Sequence, residues 1–93
     1  MATFYATAIK MKSGSYYSDD LLEIDKIYLE HSKDGWYSKA AVHDYVKQHP
    51  EDVKVKNNQG PVVIACVSSN GEKYVKSSPN ETKKDNLLSL PRK

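Results

Sequence analysis

Ninety-three residues suffice for one small domain and leave no room for a second core, because the fraction of surface buried on folding shrinks with chain length. Hydrophobic residues at 39% and charged residues at 28% exclude a disordered chain, and no apolar run approaches the roughly 20 residues of a bilayer-crossing helix. The net charge of +2 is too small to name a partner, but residues 1–46 carry five Lys against seven acids and residues 47–93 nine Lys or Arg against five, an asymmetry that steers anions to the C-terminal half.

Thr3–Lys12, TFYATAIKMK, reads as a strand buried on much of both faces, with Tyr5, Ile9 and Met11 on one side and Phe4, Ala6 and Ala8 on the other. SGSYYSDD supplies a loop, in which Gly14 is free to take positive φ and Asp19 and Asp20 bond their own backbone. Leu21–Glu30 fits a helical period at some positions but alternates from Ile24 to Tyr28. It is assigned to a strand because it follows a tight loop and runs into the Asp34-Gly35 turn, with an amphipathic helix as the alternative.

The clearest helix is Ser38–His49. Ser38 caps it, Val42, Tyr45 and Val46 form its apolar stripe, and Pro50 stops it. Tyr37, just before the cap, is spaced to staple against Val42. Val53 and Val55 alternate with Lys54 and Lys56 as in a strand with one wet face, and Asn57–Gly60 turns the chain. Val62–Val67 is a continuous apolar run, read as the central strand with Cys66 in the core. Asn70-Gly71 predicts a two-residue type I′ hairpin that sets Ser69 opposite Glu72, Val67 opposite Tyr74 and Cys66 opposite Val75. In the tail, Asp85 can cap a short turn that offers Leu87, Leu88 and Leu90 to the sheet until Pro91 ends it. Docking these leucines into a thin core is preferred over a free docking peptide.

YVKSSPNETKKDNLLSLPRK, together with ATAIK near the N-terminus and the helix entry DGWYSKAAVHDYV, resembles the small bacterial and phage proteins of domain-of-unknown-function family 3892. The likeness spans nearly the whole chain and is most distinctive at Asp85–Pro91, a D-N-L-x-x-L-P-like signature. What the resemblance implies is an intracellular bacterial or phage setting, with no established activity, cofactor or catalytic residue to carry over.

No catalytic constellation announces itself. Cys66, the single cysteine, forms no intrachain disulfide and suits a reducing cytosol; His43 and His49 are spaced onto different sides of the helix, so neither a metal nor a cofactor is expected. The seven Tyr suit a small sheet whose core meets solvent, or else a binding surface. Two function classes remain. Trp36, Tyr37, Tyr16 and Tyr17 on loops are candidate anchors for a protein partner or for self-association, although Trp36 and Tyr37 can equally serve to staple the helix. Lys54, Lys56, Lys73 and Lys76, with Lys83 and Lys84 beyond them and Tyr74 between two of them, are candidate contacts to a nucleotide or nucleic acid. Alternation sets Tyr74 and Lys76 on the face opposite Lys73.

The expectation is a single small α+β domain over residues 1–93: an antiparallel sheet of four to five strands with one helix packed on it, in chain order β-β-α-β-β-β, and residues 77–93 forming a loop plus a docked leucine-rich tail. Its expected role is a cytoplasmic, non-enzymatic binding or interaction module that acts on a host protein, with no membrane contact; the alternative is nucleotide or nucleic-acid binding through the basic C-terminal hairpin.

Overall fold

Ser38 does at the helix start what its side chain predicts: its hydroxyl accepts the Ala41 N–H at 3.1 Å from an extended backbone. The helix, α1 (Lys39–Gln48), turns Val42 and Val46 inward and ends where the His49 N–H reaches the Tyr45 carbonyl at 2.9 Å, just ahead of Pro50. These relations come from a computed structural model that describes residues 4–18, 20–56, 60–78 and 86–93. The turn expected through residues 57–59, the cap at Asp85, and Asp19, Lys83 and Lys84 lie outside that set.

The strands are β1 (Phe4–Met11), β2 (Ile24–Glu30), β3 (Trp36–Ser38), β4 (Val53–Val55), β5 (Val62–Val67) and β6 (Lys73–Ser78). They form one sheet in the order β3-β2-β1-β4-β5-β6. The expectation of four to five antiparallel strands is corrected twice. Trp36 and Tyr37 belong to an edge strand rather than a loop, because the tight turn at Gly35 folds them back onto Tyr28 and Ile27. The sheet is also mixed, because the path through α1 returns the chain beside β1 in the same direction, pairing Phe4 with Val53 and Ala6 with Val55. Leu21–Glu30 is a strand over Ile24–Glu30, entered through one short turn of 3₁₀ helix (Leu21–Glu23) in which the Asp20 carboxylate accepts the Leu22 N–H at 2.9 Å.

Two features set the faces. In β1 the pairing with β2 slips between Ala6 and Ala8, so Ala6 shares the inner face with Ile9 and Met11 while Ala8 looks outward opposite Tyr28. The simple alternation read from the sequence therefore fails at Thr7. In the β5–β6 hairpin the loop is one residue longer than expected: Ser68 pairs with Glu72, only Gly71 takes positive φ, at 85°, and Cys66 faces Tyr74 while Val67 faces Lys73. That one-residue shift puts Ala65, not Cys66, opposite Val75 on the inner side. Of the run expected to be central, only Val63 is fully buried; β5 lies next to the edge and Cys66 is only partly buried, on the outer face, which corrects its assignment to the core.

The inner face packs against α1 and the tail. Ile9, Ile24, Ile27, Val53, Val63 and Val75 meet Val42 and Val46 from the helix, and Leu87, Leu88 and Leu90 complete the cluster from the turn Asn86–Ser89 and the residue after it. The tail also completes a strand edge. β4 stops at Val55, where Lys56 takes positive φ and donates its N–H to the Ala6 carbonyl at 2.8 Å, leaving the far part of β1 without that neighbour. Residues 91–93 fill the gap as a parallel bridge: the Ile9 N–H donates to the Pro91 carbonyl and the Lys93 N–H to the Ile9 carbonyl, both at 2.9 Å. Among the described residues no helix is long and apolar enough to cross a membrane.

Candidate nucleic-acid interface

Three lysines on the helix side of the sheet, Lys12, Lys39 and Lys73, meet carboxylates. Lys39, almost wholly buried, donates to the Glu72 carboxylate and, at 2.8 Å, to the Leu22 carbonyl; Lys12 reaches the same Glu72 oxygen at 3.4 Å. The two ammonium groups, Lys39 foremost, hold the Glu72 carboxyl below its ordinary value. Lys73 reaches Asp44 of α1 at 3.0 Å, and His43 meets the same carboxylate oxygen at 2.9 Å; these hydrogen bonds, His43 first, depress the Asp44 pKa. Lys73 therefore leaves the basic patch in which the sequence placed it.

A depressed carboxylate makes stability depend on acid. Because Glu72 is the stronger acid in the folded state, its ion pairs contribute fully above its ordinary value of 4.5 and fade as pH falls through the lower folded value. Melting curves from pH 7 to pH 3 are expected to show a falling Tm on the acid side that is shallower in Glu72→Gln, with the variant less stable than the parent at pH 7. Parallel acid branches in the two proteins would show that Glu72 contributes nothing to the acid dependence.

A cleft of about 300 Å³ lies beneath α1 between Phe4, Leu29, Val42 and Tyr45. Its hydroxyls are committed: Tyr45 donates to Asp52, and burial followed by that bond pushes its pKa up to about 12, while Ser32 donates to the Leu29 carbonyl. The cleft is an apolar slot with little left to orient a ligand.

The outer face is different, because neither α1 nor the leucines cover it. Register sets Trp36, Tyr28 and Ala8 side by side across β3, β2 and β1, and sets Ser38, Lys26 and Lys10 in the next outward row. Further along, Tyr5 pairs with Lys54, Lys54 with Val62, Ile64 with Lys76 and Cys66 with Tyr74. Tyr28 and Trp36 meet edge to face at 5.4 Å between centroids. Between them and Pro91, over Thr7 and Ala8 and beside Lys93, lies an open recess of about 550 Å³.

The sequence-named residues thus divide. Lys54, Lys76 and Trp36 share the outer face; Lys73 faces the helix; Lys56 has left the strand. Tyr37 faces inward, its hydroxyl accepting the Asp34 N–H at 3.2 Å. Tyr16 and Tyr17 form an exposed edge-to-face pair at 4.9 Å in the loop after β1. Tyr16 also holds the tail in place. Its hydroxyl donates to the Arg92 carbonyl at 3.0 Å, and the Arg92 guanidinium donates to the Tyr16 carbonyl at 2.7 Å and the Leu88 carbonyl at 3.1 Å. This clamp fixes Pro91 and Lys93 at the rim of the recess. Lys10, Lys26, Tyr5 and Tyr28 join this face without standing out in the sequence; their signal is the alternation of Lys26 with Tyr28, which acquires meaning only with the β1–β2 register. No group of three or more metal-ligating side chains gathers among the described residues.

A family model described as "Protein of unknown function (DUF3892)" matches residues 6–91 of the chain. No curated protein and no solved structure matches it.

Proposed function

This chain belongs to the family of unknown function DUF3892, and we propose that it is a non-enzymatic module that holds single-stranded nucleic acid on the uncovered face of its sheet. One observation carries the reading: Tyr5, Tyr28, Trp36 and Tyr74 share that face with Lys10, Lys26, Lys54 and Lys76, which outnumber Glu30, the carboxylate opposite Tyr5. Aromatic rings stack on bases of any sequence, and lysines at strand spacing hold the phosphates between them. A broad sheet suits an unpaired strand, since reading a duplex calls for an element that enters a groove.

The test is binding of a fluorescent oligothymidylate and of a duplex of equal length, followed by anisotropy as salt is raised. Neutralising about four phosphates on a single strand gives a log–log salt slope near −3, or about a fiftyfold loss of affinity between 50 and 200 mM salt. The single strand is expected to bind with that slope and the duplex more weakly. Lys54→Glu with Lys76→Glu is expected to lower affinity at least about tenfold and to flatten the slope. Unchanged affinity in the double variant, or no binding at 50 mM salt, would overturn the proposal. A mass in light scattering that rises with protein concentration and falls in Trp36→Ala would assign the face to protein contact instead.

A further inference from the structure

Lys10 and Lys26 are direct cross-strand partners on the outer face, both exposed, and neither has an ion-pair partner among the described residues. Like charges directly opposite one another across an antiparallel pair destabilise it. Two ammonium groups so placed form a ready seat for one anionic group. The neighbouring outward row is Ala8, Tyr28 and Trp36, one two-residue strand step away, or about 7 Å. That row has a floor of small side chains, Thr7 and Ala8 at the β1 irregularity, and walls of aromatic ring and proline ring. Gly35 fixes one wall: it sits against the Tyr28 ring, where a Cβ would come within 2.7 Å of Cε2.

An open, ring-walled recess beside a paired cation at that spacing has room for a planar base joined through its sugar to a phosphate. Resting on the platform reading above, we infer that the recess between Trp36, Tyr28 and Pro91 is a single-nucleotide subsite: it takes one unstacked base of the strand, whose phosphate lies between Lys10 and Lys26. Affinity along the sheet is therefore concentrated here rather than spread evenly over the aromatics. The tail contributes to binding as well as to the core in this arrangement, because the Arg92–Tyr16 clamp sets the Pro91 wall.

Trp36 is the single tryptophan, so its fluorescence reports the subsite directly, while anisotropy of a labelled (dT)10 reports total binding. The parent is expected to bind with quenching of Trp36. Ala8→Leu, which fills the floor, is expected to abolish the quenching and weaken binding about tenfold, the worth of one stacked base, leaving residual salt-sensitive binding. Lys10→Gln with Lys26→Gln, at exposed positions, is expected to raise the Tm of the free protein, lower the affinity and keep the quenching at saturation. Free thymidine monophosphate is expected to quench Trp36 at millimolar concentration where pyrophosphate does not. Binding by anisotropy with Trp36 unquenched, or unchanged affinity in Ala8→Leu, would overturn the subsite and leave the platform standing. A pyrophosphate response equal to that of the nucleotide would reduce the subsite to an anion seat and likewise overturn it. No binding of (dT)10 at 50 mM salt would remove both.

Discussion

Leu87→Ala is expected to lower stability by about 2–5 kcal/mol, a large share of what a domain of this size possesses. Leu87 is fully buried, and it enters the core from a segment that no long helix or strand anchors. Truncation removes the transfer free energy of the lost carbons and leaves a cavity among its neighbours in the core cluster. A loss of that size in a domain of this length moves the melting point by more than about 10 °C. Ser89→Ala, at an exposed position in the same turn, is expected to stay within about 0.5 kcal/mol of the parent. Chemical denaturation of the three proteins is the check. A Leu87→Ala protein as stable as Ser89→Ala would mean that the tail leucines do not belong to the core, and the recess wall they support would go with them.

Gly35→Ala carries the second large effect, from two causes that can be separated. Gly35 takes φ of 78°, a region that alanine enters at a cost of about 1 kcal/mol, and the added methyl would meet the Tyr28 ring at 2.7 Å. Tyr28 is partly exposed and can swing outward, which exchanges the clash for loss of its edge-to-face contact with Trp36. The expected total is about 2 kcal/mol, with altered Trp36 emission. In a Tyr28→Ala background the methyl meets no ring, and the same substitution is expected to cost only the backbone share, about 1 kcal/mol. Equal costs in the two backgrounds would show that ring contact contributes nothing at Gly35.

What could be read beforehand followed from local chemistry. The cap at Ser38, the stop at Pro50 and the strand in the second half of Leu21–Glu30 each depend on a few adjacent residues, and each is present. The misreadings share a different origin. Asn70-Gly71 satisfies the sequence rule for a two-residue turn, but the Ser68 hydroxyl accepts the N–H of Asn70 at 3.3 Å and of Glu72 at 3.1 Å, which stabilises the longer loop with only Gly71 at positive φ. The slip at Thr7 and the three-residue β3 leave no periodic trace, since a bulge and so short an edge strand are dictated by the partner strand. The candidate face is legible in part. Lys54, Lys76 and Trp36 could be named from composition and position, whereas Lys10 and Lys26 become a pair only through register, and Lys73 is withdrawn by Asp44 from an element distant in sequence.

The bridge between Ile9 and Arg92 ties the first strand of the chain to its last few residues. That edge of β1 is covered by two segments far along the sequence, β4 and residues 91–93, so losing the bridge would bare backbone donors and acceptors able to pair with another chain. Contacts between positions so far apart carry a high loop-closure entropy, so this seam is won only when the rest of the sheet already holds its two sides together.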